Sequence, residues 1–163
     1  MTRAARLTRL MAALGAAALL LPVAASSSSQ ETRPHRATCV GVPDDPLSPN
    51  VHVTGSCQAT HLGRETFEAE HTVVPTGPPV NGLLPIAVVG GQATHVAANG
   101  DELRSAYVGT GAVDLQTGRI DFEFTGIYVG GSGRFTGASG ATHIVGVVEG
   151  GVAHFTEEGS ITY

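Results

Sequence analysis

Seven histidines and fourteen carboxylates supply the proton-transfer groups of this 163-residue chain. Several of them fall where a period-two strand would carry them among apolar side chains. His61 shares its parity with Val51, Val53, Cys57 and Ala59, and His71 shares its own with Phe67, Ala69 and Val73. His95 is in phase with Ala87, Val89 and Ala93, and His143 with Val145, Val147 and Glu149. Glu157 aligns with Phe155, Ile161 and Tyr163. An imidazole titrates near neutrality, and a desolvated carboxyl is pushed towards its protonated form. Either group can therefore move a proton inside an apolar pocket. His61, His71, His95, His143 and Glu157 are thus the candidate ligand-binding residues, with no catalytic residue singled out. The competing expectation is structural: histidines satisfied by local hydrogen bonds or standing in water at strand ends, and Glu149 and Glu157 solvated near turns.

Other chemistries lack their residues. No H-x-H or H-x-x-x-H spacing occurs, so no metal site is expected. No G-x-S-x-G elbow is present to support a nucleophilic triad. Gly131-Ser132-Gly133 with Gly137 has the look of a phosphate loop, but such loops need a following helix and usually a lysine, and the chain contains no lysine. Nucleotide binding is excluded on that ground, and no cofactor is expected.

The elements that must position these residues are strands. Outside the first twenty-five residues no window carries a 3.6-residue apolar period, and alternating runs are punctuated by Gly, Asn and Pro. Strands are predicted near 38–42, 51–61, 64–73, 86–97, 102–113, 119–129, 141–149 and 152–162. Ile120-Asp121-Phe122-Glu123-Phe124-Thr125 is the plainest, alternating apolar and acidic. Asn99-Gly100 predicts a type I′ hairpin, because both residues tolerate positive φ. Gln116-Thr117-Gly118 and Glu149-Gly150-Gly151 predict two more turns. The proline-rich stretch 74–85 predicts a long loop. About eight strands on short turns can form a sandwich or a closed antiparallel barrel; glycines inside nearly every strand suit the tight coiling of the barrel. Gln58-Ala59-Thr60-His61 recurs as Gln92-Ala93-Thr94-His95 and in part as Ala141-Thr142-His143, at unequal separations that do not make a solenoid.

The N-terminus predicts export. Arg3, Arg6 and Arg9 form a basic region, 10–21 an apolar run too short for a bilayer, and Val23-Ala24-Ala25 a cleavage site. A retained membrane anchor is the rival reading; no later segment is apolar for long enough to span. Residues 1–25 are thus read as a secreted protein's signal peptide, 26–36 as a flexible Ser-rich spacer and 37–163 as one β domain. Cleavage would leave six arginines against all fourteen acids, which gives nucleic acid or an anionic membrane surface nothing to bind. Cys39 and Cys57, an even pair in an oxidising compartment, predict a structural disulfide worth roughly 3 kcal/mol for a loop of about nineteen residues. A site built on two thiols alone is the weaker alternative.

Gly130-Gly131-Ser132-Gly133-Arg134-Phe135-Thr136-Gly137-Ala138-Ser139-Gly140 resembles the G-G-S/T-G-x-F turn of allene oxide cyclase barrels and dirigent proteins. Asn99-Gly100-Asp101 resembles the hairpin before that turn, and Thr60-His61-Leu62-Gly63-Arg64 the start of exported bacterial barrels of the same group. The resemblance covers about residues 58–163. It implies an eight-stranded, calycin-like antiparallel barrel with a lumen open at one end, and it makes Gly130, Gly131, Gly133, Phe135, Gly137 and Gly140 a structural turn. In such barrels a shaped pocket orients a reactive molecule, a lipid epoxide or a phenolic radical. Ser139 stands where dirigent proteins carry arginine, and the acidic and amide residues of the cyclases have no counterpart here, so none is carried over. Three expectations follow: a barrel binding a small, largely apolar ligand; a cofactor-free cyclase, isomerase or dirigent-type steering protein; or a structural barrel filled by side chains. Polar groups converging at an open lumen would favour catalysis, a wholly apolar lumen would favour binding, and a closed interior neither. The resembling proteins often associate through barrel exteriors, so a homo-oligomer is also expected.

Overall fold

A computed structural model describes residues 31–46 and 48–163. The expected signal peptide (1–25) and the first five residues of the expected spacer lie outside the described residues. The rest is an all-β, eight-stranded antiparallel closed barrel. The strands run in sequence order: β1 (Thr32–Pro43), β2 (Asn50–Ala59), β3 (Gly63–Pro75), β4 (Leu83–Ala97), β5 (Glu102–Asp114), β6 (Ile120–Gly131), β7 (Ser139–Glu149) and β8 (Val152–Thr162). β8 returns to pair with β1, from Thr32↔Thr162 to Gly41↔Ala153, so no sheet edge is left open. Among the described residues no helix is long and apolar enough to cross a membrane.

Alternation builds the wall. Along β6, Ile120, Phe122 and Phe124 point inward while Asp121 and Glu123 are exposed. The glycines inside the strands have a specific use: rings lie across them. A Cβ on Gly91 would stand 2.5 Å from the Tyr107 ring, and one on Gly55 2.6 Å from Phe67. Tyrosine and phenylalanine thus cover a neighbouring strand's backbone, which lets few aromatic residues fill a barrel.

Several sequence expectations are corrected. β1 begins at Thr32, inside the stretch 26–36 taken for spacer, because His35 and Ala37 face inward in step with Cys39. The loop expected over 74–85 is shorter: β3 extends to Pro75 and β4 starts at Leu83, with Pro85 opposite Ala112 near the barrel's end. The Asn99-Gly100 hairpin is not a two-residue type I′ turn. Gly100 N–H donates to Ala97 O and only Gly100 takes positive φ, at 86°, which is a three-residue loop with the bulge residue at glycine. Two-residue turns with both residues at positive φ are Asn81-Gly82, at 52° and 82° between the bridged Val80 and Leu83, and Gly150-Gly151, at 58° and 81°.

The two ends of the barrel differ. At one, the 132–138 connection folds under as a short 3-10 turn, Gly133–Phe135, and inserts Phe135, which with Ile161 is fully buried. Asp101 caps the turn through Arg134 at 3.4 Å, and Ser132 Oγ accepts from Glu102 N–H at 3.1 Å. Leu62 and Leu103 complete this plug. Near it, Cys39 and Cys57 stand opposite each other on β1 and β2 and form a buried disulfide. The other end, between Pro43, Val51, Ile86, Ile120 and Val148, opens into the lumen.

Candidate functional site

The lumen holds a cavity of about 100 Å³, space for several waters or a small organic molecule. Its wall is aromatic. Phe67 and Phe155 meet at 5.6 Å between centroids, Phe155 and Phe122 at 6.2 Å, Phe122 and Phe124 at 4.6 Å, and Phe124 and Tyr107 at 5.6 Å. Five rings from four strands thus form one unbroken girdle, with alternating register delivering each to the inside.

The girdle ends on histidines. His71 lies 5.8 Å from Tyr107, and its Nδ1 is 2.9 Å from the Tyr107 hydroxyl. Burial holds His71 below its ordinary value and pushes Tyr107 well above the usual phenol range. Both shifts favour a neutral pair in which the tyrosine O–H donates to the imidazole. His95 lies 5.9 Å from Phe67 at the other end.

Below the rings is a polar floor. His95 Nδ1 and Glu65 Oε1 are 2.9 Å apart, and both side chains are at most 7 % exposed. Desolvation would lower the imidazole, but the bond to Glu65 and the charges of Glu157 and Glu65 outweigh it and hold His95 above its ordinary value. His95 is therefore the donor to Glu65. Glu157, itself 4 % exposed, borders the cavity and meets His35 Nε2 only at 3.8 Å. Among the described residues, Glu65 Oε2 and His35 Nδ1 are buried here without a hydrogen-bond partner, and the buried Tyr128 hydroxyl has no acceptor for its proton. Ser105 also borders the cavity.

Of the five candidates, three converge at the lumen: His71, His95 and Glu157. The other two do not. β2 ends at Ala59, and His61 follows in a turn at φ 70°, its Nε2 donating to Pro34 O at 2.8 Å beside Tyr163 at the plugged end. His143 is on the outer wall with Val145, Val147 and Glu149, because Thr142, Ile144 and Val148 take the inner face of β7. It pairs there with Glu123 at 2.7 Å. The face assigned to β4 is corrected as well. An extra residue at Val89-Gly90, with Gly90 at φ 65°, shifts the register between Val88 and Gly91. Ile86 and Val88 are therefore inside together with Ala93 and His95, while Ala87 faces out and Val89 is 42 % exposed.

Sequence reasoning missed Glu65, Ser105, Tyr107 and His35. Glu65 shares its parity with Phe67, and Ser105 and Tyr107 share theirs with Leu103, so alternation contained the signal. His35 was hidden in the supposed spacer. Cys57 Sγ lies within 4.8 Å of the Glu65 and His95 ligand atoms, but it is bonded to Cys39, which leaves two donors where a zinc site takes three or four.

No family model matches the chain, and neither a curated protein nor a solved structure does.

Proposed function

We propose that this is a secreted, calycin-like barrel whose lumen binds a small, largely apolar molecule. One observation carries the reading: a girdle of five aromatic rings surrounds a cavity of about 100 Å³ that opens at one end of an otherwise plugged barrel. A pocket lined mainly by apolar groups with a few convergent polar ones is the usual form of a small-molecule site. The buried Cys39–Cys57 disulfide is compatible with the export expected from residues 1–25. The turn over 130–140 and its inserted Phe135 support kinship with the allene oxide cyclase and dirigent barrels.

A second reading has its own observation. His71, His95 and Glu157 converge on the lumen, as a cofactor-free isomerase or cyclase would require for proton transfer. Binding stands first because His71 is engaged by Tyr107 and His95 by Glu65.

Native mass spectrometry of the gently purified protein tests the first reading. The expected result is an adduct that is lost on denaturation and absent from Val53→Trp, which fills the lumen. An adduct that survives in a folded Val53→Trp would place the molecule elsewhere and overturn the reading.

A further inference from the structure

The lumen has a chemical bias that its apolar wall does not reveal. At its floor two carboxylates face one engaged histidine. Glu65 spends one oxygen on His95 and leaves Oε2 buried without a partner. Glu157 is 4 % exposed and borders the cavity, and its nearest cationic candidate is His35 at 3.8 Å, beyond hydrogen-bonding reach. Among the described residues His35 Nδ1 has no hydrogen-bond partner either. The hydroxyls of Tyr128 and Ser105 are neutral donors, so among the described residues the floor's two carboxylates have only His95, already engaged, and the more distant His35 as cationic candidates. An unpaired carboxylate out of water is costly, and the missing partner is a donor that carries positive charge.

The wall points the same way. Phe67, Phe155, Phe122, Phe124 and Tyr107 present ring faces and edges around the space above Glu157, and a cation over such rings is attracted by their quadrupoles. The chain has no lysine, and fourteen acidic side chains outnumber its nine arginines, so the surrounding field draws cations inward. A carboxylate-headed molecule, such as a fatty acid, would instead bring its charge against Glu157.

We propose that the ligand is an amphiphilic amine: an apolar body held by the aromatic girdle, with a protonated nitrogen at the floor that pairs with Glu157. The proposal rests on the reading of the lumen as a binding site and deepens it. Three probes of nearly equal shape separate the two: 2-phenylethylammonium, 2-phenylethanol and 3-phenylpropionate, each titrated calorimetrically into the whole protein at neutral pH and moderate salt. The amine is expected to bind at least tenfold more tightly than the alcohol, and the carboxylate most weakly. In Glu157→Gln the amine should lose that advantage while the alcohol keeps its affinity within two- to threefold. Should this variant fail to fold, nuclear Overhauser contacts between the amine's ring and Phe122 or Phe124 in the unaltered protein locate the probe. An alcohol that matches the amine, or a carboxylate that exceeds it, overturns the amine proposal and leaves the binding site standing. Failure of all three probes to bind at millimolar concentration overturns both.

Discussion

Two histidine–glutamate pairs stand on opposite sides of the same wall. His95 and Glu65 meet inside at 2.9 Å, and His143 and Glu123 meet outside at 2.7 Å. Both histidines follow an Ala-Thr dipeptide. By distance the outer pair is the better bond, yet the physics ranks them the other way. The outer side chains are 53 % and 68 % exposed, so water and salt screen the attraction and already solvate each partner. The inner side chains are 7 % and 2 % exposed, so each group has no substitute for the other. The cost of losing a pair follows from what would replace it rather than from its length.

The largest expected effect comes from orphaning the inner glutamate. His95→Leu should cost about 3–5 kcal/mol in urea unfolding, because it strands Glu65 in the interior. Adding Glu65→Leu should recover most of that loss, since an apolar pair of similar size replaces an ion pair at little net cost. If the double variant is no more stable than His95→Leu, the buried pair is not the source of the effect. Next comes the staple behind Glu65, since Cys57 is its direct neighbour across β2 and β3. Replacing Cys39 and Cys57 together by Ser should lower stability by roughly 3 kcal/mol, and the loss should vanish when wild type is measured under full reduction.

The two lumen histidines should respond to pH in opposite directions. His95 is raised on folding, so its contribution is complete below the ordinary imidazole value and is lost as pH rises through the folded one. His71 is lowered by burial, so its contribution is present above the ordinary value and is lost as pH falls through the folded one. Stability measured against pH should show the alkaline loss disappear in His95→Leu and the acid loss shrink in His71→Phe; unchanged profiles would remove the titration from either group. The smallest effect belongs to the outer pair. His143→Leu should change stability by no more than about 1 kcal/mol, and less in high salt. A loss comparable to that of His95→Leu would dissolve the contrast between the two sides.

The same two histidines show what was legible in the sequence. Strand existence was readable almost throughout, since alternating runs and glycine punctuation survive without knowledge of neighbours. Facing was readable where one parity alone is apolar. In β3, Phe67, Ala69 and His71 alternate with Glu68 and Glu70, and the inward set is the apolar one. In β7 both parities qualify: Ala141, Val145 and Val147 on one, Ile144 and Val148 on the other. Only the register against β6 and β8, with Ile144 opposite Phe124 and Glu157, decides which enters. In β4 the bulge at Val89-Gly90 reverses the parity midway, and a local pattern cannot report a residue that has no cross-strand partner. The polar floor was the least legible part, because it joins Glu65, His95 and Glu157 from three strands far apart in sequence.

The closure of β1 on β8 fixes where the barrel's first and last strands begin and end. Thr32 and Thr162 sit side by side, their hydroxyls 2.7 Å apart, at the pole sealed by Phe135 and opposite the mouth. A tether attached directly at Thr32 or Tyr163 therefore starts at the pole away from the route by which a molecule would enter. The barrel can hang from a surface or a carrier by either end with its opening unobstructed. The same proximity suits the barrel to circular permutation: a short linker can join Tyr163 to the start of β1 without crossing the lumen.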